Sequence, residues 1–374
     1  MNPRGSAALP AVLLTAALLA GCTSTGNADR PLPSGAHTGS AITANPTRAP
    51  GPRDPRVVGT IASGLSVPWG LGFLPDGTAL VTERDSARVL AIRNGRVTVV
   101  GEIGEAVPQG EAGLLGLAVS PSYDVDKAIY LYVTTAEDNR VVRTTYDRGR
   151  LGDLQVILSG IPQGSRHDGG RLVFGPDSYL YVSTGETGDG ALAQDLDSLG
   201  GKILRITADG DPAPGNPFGD SPVWSWGHRN VQGLAFDDDG RLWASEFGAS
   251  AWDELNLIMA GGNYGWPYVE GSGGNGRYVD PLVVWRTYEA SPSGLAWLDG
   301  RLWLASLRGE RLWRIGVPDG RTGIPADFFV GAYGRLRTVV VAPNGNLWVT
   351  TSNRDGRGDP VPTDDRILEI DPGS

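Results

Sequence analysis

Two segments of the 374-residue chain concentrate side chains that can do chemistry. Residues 224–234 have the sequence WSWGHRNVQGL, which sets His228, Arg229 and Asn230 side by side among aromatic residues. Arg presents a planar fork of donors to a carboxylate, and Asn offers both a donor and an acceptor. These residue types favour a ligand-binding loop, although a loop that only ties neighbouring strands together explains them equally well.

A second segment, residues 166–172, has the sequence RHDGGRL and places His167 before two glycines. Glycine allows the backbone to approach a ligand closely. His is the usual general base near neutral pH. Asp168 and Glu186 are the nearby acids that can orient its ring and raise its basicity. A single loop His is more often an ordinary polar contact, so the segment alone leaves both interpretations open.

An acidic stretch, residues 243–256 (WASEFGASAWDELN), leads into residues 261–267 (GGNYGWP). Carboxylates and free loop carbonyls are the ligands that hard cations such as calcium prefer. The spacing is not that of an EF-hand loop. A cation-binding loop and a solvated acidic loop are therefore both compatible with this stretch.

The last third of the chain supplies three further cations, Arg308, Arg335 and Arg337. Residues 335 and 337 face the same side if they lie on a strand. Brought together with Arg229 they would bind a polyanionic small molecule, whereas scattered they would be ordinary surface residues. The chain as a whole has 32 Lys and Arg against 42 Asp and Glu, a net charge of -10, which argues against a nucleic-acid partner.

Short strands are the elements that must position these residues. One pattern returns six times: an apolar pair, a turn with Gly, Asp or Asn, then Leu followed by an aromatic residue or Val. The copies lie within residues 70–83, 117–133, 172–182, 234–243, 295–303 and 339–349. Each copy predicts two strands around a tight turn.

Six such modules predict an all-β fold, a six-bladed β-propeller over residues 56–374. Asn94-Gly95 predicts a tight hairpin, because its turn needs positive φ angles. We expect Val57–Ile61 to pair with Arg366–Ile370 and close the ring. A large β-sandwich is the alternative, but it would not produce six similar modules.

The first 21 residues indicate an export signal that is too short to span a membrane. It ends in Leu-Ala-Gly-Cys, which resembles a bacterial lipobox with Cys22 as the lipidated residue. Cys22 is the only Cys, which also excludes a disulfide framework and a Cys-based zinc site. Residues 22–55 predict a flexible tether rich in Ser, Thr, Gly and Pro. We expect an exported protein anchored by lipid at the outer face of the cytoplasmic membrane; an ordinary signal peptide with a chance Cys is the alternative.

Several motifs, in order, resemble the soluble quinoprotein sugar dehydrogenases, the glucose/sorbosone dehydrogenase family. The resemblance covers residues 57–371, and its motifs are PWGL at 68–71, GLLG at 113–116, HDGG at 167–170, GKILR at 201–205, GHRNVQG at 227–233, DELN at 253–256 and NYGWP at 263–267. It implies a six-bladed propeller that binds pyrroloquinoline quinone (PQQ) and oxidises an aldose at the anomeric carbon to the lactone. No haem attachment sequence is present, so we expect electrons to pass to a separate acceptor.

The resemblance also assigns roles to single residues. His167 matches the catalytic base, and Glu186 stands at the position of its acidic partner, where Asp is more usual. Arg229 is expected to serve both catalysis and cofactor binding. Arg308 stands where Lys is common, and Glu111 where a Gln lies near the cofactor. The implied cofactor contacts are Glu111, Arg229, Asn230, Arg308, Arg335 and Arg337.

Two calcium ions are implied as well. The first would join the cofactor to the backbone carbonyls of Gly248 and Ala249. Ala249 departs from a common Pro, but it still supplies a carbonyl. The second, structural ion would use the Glu254 carboxylate and the Tyr264 carbonyl.

Two other functions stay open. A calcium-dependent propeller lactonase would need an axial ion held by carboxylate and Asn side chains, and it has no use for four cations. Two residues favour the other alternative, a sugar-binding lipoprotein that has lost PQQ. Glu111 puts negative charge where an anionic cofactor would sit, and Glu186 is one methylene longer than Asp.

Overall fold

The structure, a computed structural model, describes the backbone of Ile42–Thr43 and residues 53–373. The predicted export signal (1–21), the predicted lipidation site Cys22 and most of the predicted tether (22–55) lie outside these residues. Within them, no helix is long and apolar enough to cross a membrane.

Six four-stranded antiparallel blades stand around a central axis, which confirms the predicted six-bladed β-propeller. From the axis outward, the strands are Pro68–Phe73, Ala79–Glu83, Arg88–Arg93 and Arg96–Glu102 in blade 1; Leu114–Val119, Ala128–Thr134, Asn139–Asp147 and Gln155–Ile161 in blade 2; Leu172–Phe174, Leu180–Ser183, Lys202–Ile206 and Val223–Trp226 in blade 3; Val231–Phe236, Leu242–Glu246, Trp252–Ile258 and Val283–Arg286 in blade 4; Pro292–Leu298, Arg301–Ser306, Arg311–Gly316 and Ala326–Phe328 in blade 5; and Leu336–Val341, Leu347–Thr351, Ile367–Asp371 and Arg56–Ala62 in blade 6.

Other regular structure in the described residues is short. Arg150–Leu151 extends blade 2, and Ile42–Thr43 pairs in parallel with the outer strand of blade 4. The α-helices Tyr123–Asp126 and Ala191–Gln194 and the 3-10 turn Pro318–Gly320 are single turns. The chain therefore positions its functional groups almost entirely with strands and loops.

The ring closes where the sequence predicted. Arg56–Ala62, from the start of the described domain, pairs antiparallel with Ile367–Asp371 at its end. The innermost strand of blade 1 contacts those of blades 2 and 6, which completes the circle. The predicted hairpin is confirmed as well, because Asn94 and Gly95 have φ angles of 51° and 74° between the two outer strands of blade 1.

Apolar side chains fill the spaces between neighbouring blades. Trp243, Trp285, Trp303 and Trp313 are essentially inaccessible to solvent. At the axis the inner strands approach too closely for side chains, since a Cβ on Gly116 would lie 2.0 Å from the carbonyl oxygen of Gly170. Glycine at this position lets the ring contract, which brings loops from different blades together at the axis.

Candidate active site

The antiparallel order of each blade decides where the predicted residues meet. The start of a first strand and the end of the second strand lie at the same end of the propeller. His167 and Arg229 precede first strands, whereas Glu186, Gly248 and Arg308 follow second strands. Their loops therefore converge on one face.

A cavity of about 600 Å³ opens at this face around the axis. Eight predicted site residues line it: Glu111, His167, Arg229, Gly248, Ala249, Arg308, Arg335 and Arg337. They come from five of the six blades and from sequence positions more than 220 residues apart. The fold thus joins the two His- and Arg-rich segments, the acidic stretch and the late arginines into one site.

His167 and Glu186 form a close pair at the cavity wall. Nδ1 of His167 lies 2.6 Å from Oε1 of Glu186, and both residues are more than nine-tenths buried. Because an ionised carboxylate can only accept, Nδ1 carries the hydrogen and Nε2 keeps the basic lone pair. The longer Glu side chain therefore reaches the ring without displacing it. Asp168, the other candidate partner, instead accepts bonds from Asn139 and Gly164.

Glu111 is fully engaged by partners. Its Oε2 accepts the backbone N–H of His167 at 2.9 Å, and its Oε1 lies 3.0 Å from the guanidinium of Arg357. Burial would raise the pKa of Glu111, but the His167 N–H and Arg357 outweigh it and lower the pKa. The negative charge at this position is thus neutralised inside the protein.

The arginines of blade 6 share one carboxylate. Nε of Arg335 and a terminal nitrogen of Arg337 lie 3.0 and 3.2 Å from the same oxygen of Asp355, as expected if both side chains face one side. Nε of Arg337 also donates to Ser352 at 2.9 Å. Burial lowers the pKa of Arg337 to about 10, so it remains a cation at neutral pH.

Arg229 stands on the wall between His167 and the acidic stretch. Its guanidinium lies 5.4 Å from the Trp266 ring and donates to the carbonyl of Phe247 at 3.2 Å. Its Nε is buried and has no hydrogen-bond partner among the described residues. A buried, unpaired donor of a charged group is costly, so this atom points to a missing acceptor.

Two predicted contacts differ in their access to the cavity. Arg308 is exposed at its mouth. Asn230 is fully buried behind the wall, where its Oδ1 accepts the backbone N–H of Gly169 at 3.0 Å. In this structure Asn230 braces the glycine loop that follows His167.

The carbonyls of Gly248 and Ala249 belong to a loop at the cavity wall. No hydrogen bond from the described residues reaches either carbonyl. Beside them, Asp253 accepts the N–H groups of Gly248 at 2.8 Å and Ser291 at 2.6 Å. Burial raises the pKa of Asp253 to about 7, because no cation among the described residues pairs with it directly.

The second set of predicted calcium ligands lies behind this loop. Glu254 and Tyr264 line a small adjoining cavity together with Glu246. Burial first, and the neighbouring Glu246 second, raise the pKa of Glu254 to about 8. The Tyr264 carbonyl accepts no hydrogen bond from the described residues. Nδ2 of Asn256 donates to both carboxylates, at 3.1 Å to Glu254 and 3.3 Å to Glu246, and no Lys or Arg of the described residues forms an ion pair with Glu254. A calcium ion at Glu254 would offset the repulsion between the two carboxylates.

Several cavity residues escaped the sequence reasoning. Asp355 and Arg357 lie in the segment NRDGRGD at 353–359. Its closely spaced charges beside glycines could have identified it as a candidate ligand-binding loop. Arg84 also lines the cavity, but its neighbours in sequence do not set it apart from surface residues. Arg166 and Asp253 lie inside the segments 166–172 and 243–256 that the sequence singled out, but neither was assigned a role there.

Comparison with known proteins shows which family has this propeller and this sequence. The family model described as glucose/sorbosone dehydrogenase matches residues 65–361. The solved PQQ-bound form of aldose sugar dehydrogenase from Streptomyces coelicolor is 53% identical, covers 86% of this chain and 99% of its own, and superposes with a TM-score of 0.84.

Two curated proteins agree. Aldose sugar dehydrogenase YliI of Escherichia coli is 28% identical over 78% of this chain and 89% of its own length. Quinoprotein glucose dehydrogenase B of Acinetobacter calcoaceticus is 34% identical over 56% of this chain and 52% of its own. Because the family model covers most of the propeller, this chain belongs to the glucose/sorbosone dehydrogenase family.

Proposed function

We propose that this protein oxidises an aldose at the anomeric carbon to its lactone, with PQQ and calcium held in the axial cavity. The observation that carries the proposal is the buried, unpartnered Nε of Arg229 on a wall that also presents Arg335 and Arg337. PQQ is a flat tricarboxylate, and planar guanidinium forks are the side chains that bind carboxylates best. The name of the Streptomyces relative, a PQQ-bound form, supports the same cofactor.

The donor set also fits calcium beside PQQ. Two carbonyls without hydrogen bonds, Gly248 and Ala249, adjoin the buried carboxyl of Asp253. Oxygen ligands of this kind suit a hard divalent cation. A second ion fits between Glu254 and the Tyr264 carbonyl, where it would offset the repulsion between Glu254 and Glu246.

The protein's own groups divide the work around the substrate. Nε2 of His167 takes the proton of the anomeric hydroxyl, and Glu186 holds the ring in the tautomer that leaves Nε2 free. Glu111 fixes the backbone of His167, and Arg229, Arg335 and Arg337 hold the carboxylates of the cofactor. When bound, PQQ supplies the hydride acceptor and calcium the Lewis acid that polarises it.

The alternatives have less support. A lactonase has no use for several cations at the axis, whereas Arg229, Arg308, Arg335 and Arg337 all line the cavity. The two residues that kept a cofactor-free protein open are accommodated, since Glu111 is paired with Arg357 and Glu186 reaches His167.

PQQ titration of the purified apo-protein in calcium, followed by absorbance and calorimetry, tests the proposal. We expect micromolar or tighter binding that weakens in a chelator and by about 100-fold in Arg229→Ala, because a charged hydrogen-bond partner is lost. Arg150→Ala, on an exposed edge of blade 2, is the matched control and should bind normally. Absence of PQQ binding by the unmodified protein would overturn the proposal.

We also infer that the protein is exported and tethered by lipid at Cys22 to the outer face of the cytoplasmic membrane, where it passes electrons to a separate acceptor. The lipobox-like ending of residues 1–21 supports this. Mass spectrometry of the native protein should show a diacylglycerol-modified Cys22 at a new N-terminus. In Cys22→Ser the protein should leave the membrane fraction; an unmodified Cys22 would refute the anchor.

A further inference from the structure

Glu270 makes an unusual set of contacts with the loop that carries the two free carbonyls. Its Oε1 accepts the backbone N–H groups of four consecutive residues, at 2.7 to 3.1 Å. The donors are Ala249, Ser250, Ala251 and Trp252. One carboxylate thus gathers a whole loop of backbone donors around itself, as anions do in backbone nests.

These bonds fix the direction of the neighbouring carbonyls. The peptides of this loop are trans, so each C=O points opposite to the N–H of the same peptide plane. The N–H of Ala249 shares a plane with the carbonyl of Gly248, and the N–H of Ser250 shares one with the carbonyl of Ala249. Because both N–H groups turn toward Glu270, both carbonyls turn away from it.

Away from Glu270 means toward the large cavity. Ala249 lines the large cavity and Glu270 lines only the small one, and Gly248 lies between the two and lines both. The carboxylate and the carbonyl oxygens therefore lie at opposite edges of the same two peptide planes. A side chain outside the axial site controls which backbone atoms are presented to it.

We propose that Glu270 is a positioning residue that turns the Gly248 and Ala249 carbonyls toward the cavity and thereby sets the affinity for calcium there. This rests on the proposed function, because it needs an ion at those carbonyls. The residue at position 249 matters as well, because a proline there would lack the N–H and remove one of the four hydrogen bonds to Glu270. Glu270 does not line the large cavity, so its proposed action is through the backbone.

Calcium titration of the full-length protein, with and without saturating PQQ, separates this role from a general effect on folding. The increase in calcium affinity on adding PQQ reports the ion in the axial cavity and leaves out the second calcium site near Glu254. We expect Glu270→Ala to weaken this PQQ-dependent calcium affinity by about 10- to 100-fold, as loss of a residue that orients metal ligands does. PQQ binding in chelator, which relies on the arginines, should be unchanged.

Two further variants complete the test. Glu270→Gln keeps an oxygen that accepts N–H bonds and should recover part of the affinity, and it replaces Glu270→Ala if that variant does not fold. Glu289→Ala, which removes a carboxylate bonded to the single N–H of Arg286, is the matched control and should behave as the unmodified protein.

The outcomes are distinct. Unchanged PQQ-dependent calcium affinity in Glu270→Ala and Glu270→Gln would overturn the positioning role and leave the proposed function intact. Equal loss of PQQ binding in chelator would show a merely structural role and overturn it as well. If the unmodified protein binds PQQ without any gain in calcium affinity, the proposed calcium site itself fails.

Discussion

Two His–Glu pairs occupy equivalent places in neighbouring blades. His167 precedes the first strand of blade 3, and its partner Glu186 follows the second strand. His228 likewise precedes the first strand of blade 4, and its partner Glu246 is the last residue of the second strand. The Nδ1-to-oxygen distances are 2.6 Å and 2.9 Å. What differs is the second ring nitrogen. In His228, Nε2 lies 2.8 Å from the hydroxyl of Ser225, whereas Nε2 of His167 has no partner among the described residues.

The two His–Glu pairs also differ in how far their rings are buried. His228 is fully buried and stacks on Tyr264 with ring centroids 4.5 Å apart, while His167 lines the axial cavity. His167 also has a positive φ angle of 58°, a backbone conformation that side chains usually avoid. One pair therefore holds two blades together, and the other, held in a costly conformation, leaves a nitrogen for chemistry. A His–Glu pair by itself does not distinguish a base from a structural contact, and the free nitrogen of His167 is what supports its proposed role.

The sharpest way to break this comparison is His167→Ala. We expect turnover of aldose with an artificial electron acceptor to fall by about 10²- to 10⁴-fold, the range supplied by a general base. PQQ binding should be close to that of the unmodified protein, because the arginines hold the cofactor. The melting temperature should fall less than in His228→Ala, because the ring lines the cavity and water that enters its place can solvate the buried carboxylate of Glu186. Full activity of this variant would show that proton removal is done elsewhere.

His228→Ala should instead destabilise the fold. It removes the ring that contacts the buried carboxylate of Glu246 and the hydroxyl of Ser225, at a cost of about 3 kcal/mol in the free energy of unfolding. Chemical denaturation measures this loss. The turnover of the molecules that remain folded should fall far less than in His167→Ala. The comparison is wrong if the two variants exchange these effects.

Glu186→Gln sharpens the comparison by changing the partner and keeping the base. The amide can offer either an oxygen or an NH₂ group to Nδ1, so the tautomer with a free Nε2 is no longer enforced. We expect kcat to fall by about 10- to 100-fold, between the effect of losing the base and that of a distant residue. Glu186→Asp keeps the charge and is the matched control. Activity close to that of the unmodified protein would show that the extra methylene of Glu186 has no special role. Normal activity in Glu186→Gln would remove Glu186 from the mechanism.

The sequence alone predicted the propeller well, because six hydrophobic modules with turn residues repeat regardless of loop length. Residue types singled out His167 and the four arginines, whereas Glu111, the carbonyls of Gly248 and Ala249 and the role of His167 as the base came from the resemblance. The roles of Asn230 and Asp168 were not predictable, since they depend on which atoms lie within 3 Å across blades. Likewise, the pairing of Arg335 and Arg337 through Asp355 joins segments whose spacing has no local pattern.

The densest motif was also the least direct guide. The segment 224–234 drew attention to His228, Arg229 and Asn230 together, yet only Arg229 reaches the cavity. Alternation along the chain explains this, because successive residues at the entry to a strand point to different sides. Residue type marks a functional segment, and only the backbone decides which of its members faces the ligand.

The smallest expected effect concerns the backbone of His167. Glu111 accepts its N–H, just as Glu246 accepts the N–H of Arg229 beside His228. The pKa of Glu111 is lowered from 4.5: burial raises it, but the His167 N–H and Arg357 outweigh this. A carboxyl with a lowered pKa stabilises the folded state above its unfolded value, and this stability is lost as the pH falls through the folded value.

Glu111→Gln keeps an acceptor for the N–H and removes only the charge. We therefore expect the free energy of unfolding to fall by about 1 kcal/mol at neutral pH, where the exposed guanidinium of Arg357 limits the gain. The difference from the unmodified protein should shrink as the pH falls from 4.5, the unfolded value, through the lower folded value, because the carboxyl then becomes neutral. Denaturation at neutral pH and at a pH below the folded value measures it. An equal difference in the free energy of unfolding at both pH values would mean that the charge of Glu111 does not contribute to holding His167. The two His–Glu pairs would then differ only in the free nitrogen of His167.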